Sequence, residues 1–203
     1  MSTRPRVVQR VLSPARAATR EKLIDTVIEL ATEGGYDAVG IRQVAAAAGV
    51  SVPTAYQHAS SKDQLLMDAL MTLGQRSAER VRSRPPRGDT AAERLSAVFA
   101  RILRGAGEKP LLYQALYRGY VASAADLAGL ADLEGVPGFG PEQAAWIGET
   151  IRAGSTDHTE EEIESASRML SMMFLGAMIG VASGRDPDEV SAILAEATQR
   201  LLP

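Results

Sequence analysis

The sequence contains no cysteine, only two histidines and few aromatic residues, and each shortage excludes a class of function. Without cysteine, the chain has no disulfide framework, thiolate metal site or thiol nucleophile, which fits a reducing cytoplasm. With His58 and His158 as the only imidazoles, a zinc site would need carboxylates for its remaining ligands. Because aromatic residues make up only 4%, we do not expect a platform that stacks the bases of single strands.

The chain also lacks a long hydrophobic run. Its longest nearly apolar stretch, residues 169–182, is shorter than the roughly 20 residues needed to cross a bilayer. No apolar segment follows the N-terminal arginines, so a secretory signal is not expected either. With 45% apolar and 23% charged residues in a chain of 203, the composition is that of a globular protein, and no membrane partner is predicted.

Positive and negative charges are distributed unequally along the chain. Residues 1–88 hold 13 Lys and Arg against 8 Asp and Glu, whereas residues 89–203 hold 9 against 17. This pattern indicates a nucleic-acid partner for the N-terminal part. Residues 1–15 contain arginines and no acid, which predicts either a solvated disordered tail or a basic arm that contacts phosphates.

Hydrophobic periodicity is helical almost throughout, and no segment shows the two-residue alternation of a half-buried strand. Thr90 with Glu93 has the spacing of a capping box, as does Ser61 with Gln64, and a Gly-Gly pair ends the first helix. We therefore predict an all-α fold of about nine helices. They cover about 16–33, 41–48, 51–58, 61–82, 110–120, 141–152 and 159–183, with two more beginning near 90 and 187.

Residues 35–62 predict a helix-turn-helix, a motif whose second helix enters the major groove of DNA. Two helices of about two turns each are joined by residues 49–51. Alanines allow the two helices to approach closely, Gly49 permits a left-handed backbone, and Ser51 caps the second helix.

This segment resembles the DNA-binding region of TetR-family transcriptional repressors. The family's run of Ala, two spacers, Ala-Gly-Val-Ser, then Thr-aliphatic-Tyr-x-His, then Ser-Lys appears as Ala45, Ala48, Gly49, Val50, Ser51, Thr54, Tyr56, His58, Ser61 and Lys62. The likeness is strong over 16–70 and continues in helix order beyond it. It implies a DNA-binding domain over 16–62 and a larger helical ligand-binding and dimerisation domain over 63–203, with a linking helix at about 62–83.

The resemblance also implies roles for individual residues on the DNA side. Arg42 is expected to reach a guanine edge or a phosphate, and Tyr56 and Lys62 to hold phosphates. His58 has the position of a histidine that contacts the DNA backbone, with packing or capping as the alternative. The outward-facing residues expected to read base edges, on the helix capped by Ser51, are Val52, Pro53, Thr54 and Gln57.

Four positions depart from the family pattern. Gly40 stands where Ser or Thr usually caps the first short helix, and Pro53 stands where Gly is usual. Ala55 and Ala59 replace a Leu and a Phe. These changes predict a smaller core and one lost phosphate contact, and they do not remove the match.

The C-terminal part is predicted to form an apolar ligand cavity, which the resemblance also implies. For each residue, plain core packing is the alternative. Arg118 is expected near the rim, where it would pair with one carboxylate or phosphate. The residues expected to line the cavity are Met67, Leu70, Met71, Phe99, Ile102, Leu103, Leu112, Tyr113, Leu116, Tyr117, Tyr120, Trp146, Ile147 and Phe174.

Residues 109–121 are further similar to the matching helix of actinobacterial TetR-type regulators of sterol catabolism. The ligands of those regulators are sterol-derived acyl-coenzyme A thioesters, so the likeness implies a bulky apolar effector and control of lipid or sterol catabolism. A repressor of a drug-efflux or detoxification operon is the alternative, because a lipophilic drug suits the same lining.

The last two helices are predicted to pair with the same helices of a second subunit in a four-helix interface. Gly176 and Gly180 lie four residues apart on the first of these two helices and allow close packing. The residues expected at this dimer interface are Leu170, Phe174, Gly176, Ala177, Gly180, Val181, Val190, Ile193, Leu194, Ala197 and Leu201.

Together these features predict a cytoplasmic, nucleoid-associated homodimer that releases a palindromic DNA operator when a hydrophobic small molecule binds. No catalytic residue and no cofactor is predicted, because no nucleophile–base pair is visible. No metal site is predicted either, since the acids at 160–164 match the charged first turn of a helix. A helical adaptor that does not bind DNA is the alternative of a different class.

Overall fold

The computed structural model describes residues 14–126, 141–153 and 158–202, and these residues form nine α-helices and no strand. The all-α prediction is therefore confirmed over the described part of the chain. The predicted basic arm lies outside it, apart from residues 14 and 15. The helices are α1 Pro14–Ala38, α2 Ile41–Ala47, α3 Val52–Tyr56, α4 Lys62–Ser83, α5 Ala91–Gly107, α6 Pro110–Asp126, α7 Pro141–Arg152, α8 Glu160–Ala182 and α9 Pro187–Leu201.

Two helices extend well past their predicted ends, and the other predicted bounds differ by at most two residues. α1 continues past the predicted end at 33, but it is kinked at Gly35, whose φ of 65° and ψ of −155° are not helical. The Gly-Gly pair therefore breaks the helix, and a short turn follows. α6 extends to Asp126 instead of ending at about 120, because no glycine or proline lies between 120 and 126.

Side-chain caps fix most helix starts, with one difference from the prediction. Thr90 and Thr159 each form a reciprocal capping box with the glutamate three residues later. Ser61 accepts a bond from the Gln64 N–H at 3.1 Å, but the Gln64 side chain accepts from the N–H of Ser60 at 2.8 Å. The box predicted at Ser61 is therefore not reciprocal, because the glutamine reaches one residue further back.

α4 connects the two parts of the fold. Its 22 residues are about 33 Å long at a rise of 1.5 Å per residue. α1 packs against α4, and α2 packs against α1 and α3, with Leu23, Val44 and Leu66 fully buried. α5–α9 form the larger part, around a core that includes Phe99 and Ile147. α6 contacts both α1 and α4 extensively, so it links the two parts directly.

Arg94 joins α5 to the end of α7, and its partners among the described residues are backbone carbonyls. Its side chain is buried, and its guanidinium donates to the carbonyl oxygens of Ile151 at 3.3 Å and Thr150 at 3.5 Å. It also donates to the carbonyl of Gly88 at 3.1 Å. Since the last carbonyls of a helix have no partner within the helix, this arginine satisfies the C-terminus of α7.

Within the described ranges, α8 is the one helix long and apolar enough to cross a membrane by length and composition. Of its most apolar window, 44% is buried, and α8 packs against α5, α6, α7 and α9. We therefore interpret α8 as a core helix.

Candidate DNA-binding surface and ligand cavity

The turn between α2 and α3 has the geometry of a helix-turn-helix. Gly49 has a φ of 62°, and the N–H groups of Gly49 and Val50 donate to the carbonyls of Ala46 and Ala45 at 3.1 and 2.9 Å. These two bonds form a Schellman motif, which ends α2 and turns the chain into α3. The Ser51 hydroxyl then caps α3 by accepting from the Thr54 N–H at 3.2 Å.

The core beneath this motif is small but closed. Ala55 and Ala59 are buried at 0% and 2% exposure, so the small side chains that depart from the family pattern leave no opening to solvent. Gly40 is the N-cap of α2 and provides no side-chain cap, as its lack of a side chain requires. The two helices therefore form in spite of the departures.

All predicted DNA-contacting residues lie at the surface, exposed or half-buried. No acid occurs between Asp37 and Asp63, so the surface of α2 and α3 carries no negative side chain. Tyr56 exposes 53% of its surface, which is unusual for an aromatic residue and leaves its hydroxyl available to a partner. The exposed residues are Arg42, Ser51, Pro53, Tyr56 and Gln57, and the half-buried ones are Val52, Thr54, His58 and Lys62.

Two hydroxyl groups at the start of α3 form a hydrogen bond with each other. The hydroxyls of Ser51 and Thr54 lie 2.7 Å apart in a hydrogen bond. The Thr54 hydroxyl is therefore committed to the cap, which leaves its methyl group as the part that can contact a base. Gln57 is exposed and keeps its amide for a bidentate contact.

His58 follows α3 in the chain and lies near Arg16 and Arg20 of α1. Burial lowers the pKa of His58 below its usual value of 6.5, and the positive charges of Arg16 and Arg20 lower this pKa further. The neutral imidazole is therefore the favoured form in the folded protein.

Among the described residues three ion pairs join α1 to α4, and the longest of them joins Arg76 to Glu21 at 4.0 Å. Arg76 donates to Asp25 at 2.7 Å, and Arg20 pairs with Asp68 at 3.2 Å. Burial raises the pKa of the Asp68 carboxyl, and the neighbouring Arg20 acts in the opposite direction. These pairs fix the direction of α4 relative to the DNA-binding helices.

A cavity of about 480 Å³ lies between α4, α5, α6, α7 and α8. Its size falls within the range of roughly 300–1,000 Å³ usual for small-molecule sites. The wall is mainly apolar, with hydroxyl, amide and charged groups at a few points. It is lined by Leu70, Leu73, Gly74, Gln75, Ser77, Ala78, Glu79, Val81, Arg82, Ile102, Tyr113, Tyr117, Gln143, Ala145, Trp146, Phe174 and Met178.

The structure divides the predicted lining residues into two groups. Leu70, Ile102, Tyr113, Tyr117, Trp146 and Phe174 lie on the cavity wall. Phe99, beneath the wall, stacks on Phe174 at 4.8 Å and meets Trp146 edge-on at 5.8 Å. The others pack beside the cavity as core or half-buried residues, and they are Met67, Met71, Phe99, Leu103, Leu112, Leu116, Tyr120 and Ile147.

Sequence reasoning missed much of the wall that α4 and α7 provide. The polar additions are Gln75, Ser77, Glu79, Arg82 and Gln143. Arg82 pairs with Glu149 at 2.9 Å, so the mouth of the cavity has one cation that already has a carboxylate partner. The rotation of α4 about its axis decides which of its residues line the cavity, and the helical spacing alone leaves that rotation open.

Tyr117 separates this cavity from a second, open groove on the other side of α6. The groove measures about 580 Å³, and Arg118, predicted near the rim of the ligand cavity, lines this groove. Burial raises the pKa of the Tyr117 hydroxyl strongly, and the neighbouring Tyr113 and Tyr120 raise it further. Tyr117 therefore remains a neutral hydrogen-bonding group at physiological pH.

The outer face of α8 and α9 exposes large apolar side chains. Gly176 lies among them, with no atom of its own subunit within 4 Å of an added Cβ. Among the predicted interface residues, Leu170, Phe174, Val181 and Leu194 are buried within the subunit and leave almost no surface for a partner. The others lie exposed or half-buried, and they are Gly176, Ala177, Gly180, Val190, Ile193, Ala197 and Leu201. The missed apolar residues of this face are Met169, Met172, Met173 and Ile179.

The acids at the start of α8 have structural partners. Glu162 accepts from the N–H of Thr159 at 2.8 Å, and Glu160 pairs with Arg152 at 2.7 Å. These partners lower the pKa of both carboxyls. In the described residues no group of acids and imidazoles has the arrangement of a metal site.

Comparisons with known proteins agree with this geometry. The sequence model described as bacterial regulatory proteins, tetR family, matches residues 23–69, which include α2, α3 and the turn between them. The HTH-type transcriptional repressor KstR of Rhodococcus jostii (strain RHA1) is 36% identical over 125 residues. The match covers 61% of this chain and 57% of that repressor, so it spans little more than half of the relative's length.

Solved structures share the fold over nearly the whole chain. A TetR transcriptional regulator from Rhodococcus sp. RHA1 has a TM-score of 0.71 at 23% identity and covers 93% of this chain and 97% of its own. The repressor FadR of Thermus thermophilus, solved with lauroyl-CoA, has a TM-score of 0.63 at 21% identity and covers 89% and 93%. Residues 23–69 therefore match the helix-turn-helix domain of the tetR family, and the chain shares the fold of a solved TetR transcriptional regulator.

Proposed function

We propose that the protein is a transcriptional repressor that binds a palindromic operator as a homodimer and releases it when a hydrophobic effector fills the cavity. Each subunit would place α3 in one of two successive major grooves, with half-sites about 34–36 Å apart. Such a protein acts in the cytoplasm, at the nucleoid, and needs no catalytic group.

The observation that carries this proposal is the position of α4. Lys62, an expected phosphate contact, is the first residue of α4, and the side chains of Leu70, Leu73 and Val81 on the same helix line the cavity. A ligand that displaces the later turns of α4 therefore changes the position of its first turn. An effector with different affinities for the two positions shifts the population away from DNA.

The cavity lining supports an effector with a bulky apolar body and a few polar atoms. Apolar side chains form most of the wall, and the hydroxyls of Tyr113 and Tyr117 and the amide of Gln143 provide hydrogen bonds. Arg82 at the wall, which is paired with Glu149, would also attract a negatively charged part of the ligand. An acyl-coenzyme A thioester, in particular a sterol-derived one, combines these features, and control of lipid or sterol catabolism follows from it.

A lipophilic cation from a detoxification pathway is the second candidate effector, and Glu79 is the observation that favours it. This exposed carboxylate also lines the cavity, where it would pair with a positive ligand. Glu79→Gln therefore separates the two candidates, since it weakens binding of a lipophilic cation and leaves binding of a thioester nearly unchanged.

The only tryptophan of the chain, Trp146, lies on the cavity wall and reports occupancy by its fluorescence. The test uses lauroyl-coenzyme A, a sterol-derived acyl thioester and tetraphenylphosphonium as probes. An operator duplex is first selected from random sequence with the full-length protein. We expect one probe to change Trp146 emission and release the duplex at the same concentrations. Binding of a probe without any change in DNA affinity would contradict ligand-controlled repression.

A further inference from the structure

The ring of Tyr36 lies where α1, α4 and α6 meet, and two cations contact it. The Lys62 ammonium is 3.6 Å from the ring centre, and the Arg118 guanidinium carbon is 3.8 Å from it. Two cations at these distances would collide on one face, so they occupy opposite faces of the ring. Cations at such distances are attracted to the negative face of an aromatic ring.

The hydroxyl end of Tyr36 is also fixed. It donates to the Asp63 carboxylate at 2.7 Å, and this bond, together with burial, raises the pKa of the phenol. Asp63 lies in the first turn of α4, next to Lys62. The ring therefore has a fixed position relative to the start of α4.

This arrangement restricts the long side chain of Lys62. A free lysine loses much rotamer freedom when it holds a phosphate, and a side chain that is already held loses less. The ring occupies one side of the ammonium group and leaves donors on the other side for a phosphate oxygen.

We propose that Tyr36 is a positioning residue that holds Lys62 for its contact with DNA, and that Arg118 connects this position to α6. The inference rests on the proposed function, because Lys62 needs positioning only if it binds a DNA phosphate.

The link to α6 is close and rigid. A Cβ on Gly119 would lie 2.6 Å from the Leu66 Cβ and 3.2 Å from the Asp63 carbonyl oxygen, so α6 touches α4 beside Arg118. Tyr117, the residue before Arg118, lines the ligand cavity. A shift of α6 on ligand binding therefore moves the guanidinium that holds the second face of the ring.

Nuclear magnetic resonance of lysine-labelled protein tests the contact without DNA. The chain has three lysines, Lys22, Lys62 and Lys109, and Lys62→Arg identifies the signal of Lys62. Ring currents of Tyr36 are expected to shift the ε-protons of Lys62 upfield of the other two. Tyr36→Leu should abolish this shift and Tyr36→Phe should keep it. An unshifted Lys62 signal in the parent protein overturns the proposal, whether or not a variant folds.

A double-mutant cycle on the selected operator tests the consequence for DNA. We expect Tyr36→Leu to weaken binding about two- to fivefold, Tyr36→Phe to restore most of the loss, and Tyr36→Leu to add nothing in Lys62→Ala. Arg118→Leu should weaken binding in the parent but not in Tyr36→Leu. If the losses in DNA affinity of Tyr36→Leu and Lys62→Ala are fully additive, the positioning role is wrong. If Arg118→Leu binds DNA like the parent, α6 has no part in that role.

The same cycle separates this inference from the proposed function. Lys62→Ala should lower the salt slope of binding by about 0.9, the contribution of one phosphate. If Lys62→Ala binds like the parent while the upfield shift is present, the DNA contact itself is wrong and the inference is overturned with it. If Lys62→Ala weakens binding and the Tyr36 variants do not, only the positioning role is wrong.

Discussion

Side chains on the surface of α2 and α3 differ in the freedom that they keep for DNA. The Thr54 hydroxyl is hydrogen-bonded to that of Ser51, whereas Gln57 and Arg42 are exposed. No ion pair of Arg42 occurs within the described residues. A glutamine that reads adenine contributes to specificity, while a residue that holds a phosphate contributes to affinity for any sequence. Single substitutions therefore distinguish residues that read bases from residues that bind phosphates.

Gln57→Ala is expected to relax sequence preference at one operator position. The loss of a bidentate contact should cost about 1–3 kcal/mol against the preferred base and little against the others. Competition binding with a set of single-base operator variants measures this difference. Gln199→Ala, an exposed glutamine on α9, is the matched control, and equal profiles for the two variants would contradict base reading by Gln57.

The lowered pKa of His58 predicts a dependence of stability on pH. Because burial favours the neutral form, the unfolded chain binds more protons than the folded protein between the folded pKa and 6.5. The free energy of unfolding should therefore fall as the pH drops below about 6.5. Denaturant titrations from pH 7.5 to 5 should show a weaker decline in His58→Gln than in the parent. If His58→Gln shows the same decline as the parent, this role of His58 is contradicted.

At the scale of helices, local signals and tertiary packing determine different features. The starts of α5, α8 and α9 follow from caps a few residues apart, and the turn after α2 follows from Gly49, so these features are predictable from the sequence. The rotation of α4 and α8 is set by contacts with several other helices. The sequence pattern therefore identifies apolar faces but does not distinguish a cavity wall from a core or a dimer face.

Arg94 is expected to stabilise the packing of the end of α7 against α5. Arg94→Met leaves buried carbonyls of Thr150 and Ile151 without a donor, which should lower the free energy of unfolding by about 2–4 kcal/mol. Arg104→Met is the matched control on α5, since it removes an exposed ion pair with Asp188 and should change stability little. Chemical denaturation measures both, and equal effects would contradict the role of Arg94.

The contact between α6 and α4 is expected to tolerate no side chain at Gly119. Gly119→Ala should lower the free energy of unfolding by about 1–3 kcal/mol, because its Cβ would overlap Leu66. Gly105 in α5 has no atom within 4 Å of an added Cβ, so Gly105→Ala should stabilise the protein by roughly 0.5–1 kcal/mol. Thermal melts compare the two, and stabilisation by both would mean that the helices do not touch at Gly119.

At the scale of the whole molecule, we expect the exposed face of α8 and α9 to form the interface between two subunits. A subunit has room for a larger residue at Gly176, so Gly176→Leu should fold normally and disturb only a partner packed there. Ile193→Glu places a charge on a side chain with 63% exposure. Sedimentation velocity should find a dimer for the parent and mainly monomer for both variants, with unchanged helical content. Dimers of normal stability in both would place the interface elsewhere.

Operator binding across a range of salt concentrations tests the central claim most directly. The parent protein and Arg42→Ala with Lys62→Ala are titrated by fluorescence anisotropy onto the selected duplex and onto a scrambled duplex of the same composition. We predict strong preference for the selected duplex, a steep fall in affinity with salt, and for the double variant weaker binding with a shallower slope. Equal affinity of the parent for both duplexes, or equal binding by parent and double variant, would contradict operator recognition through α2 and α3.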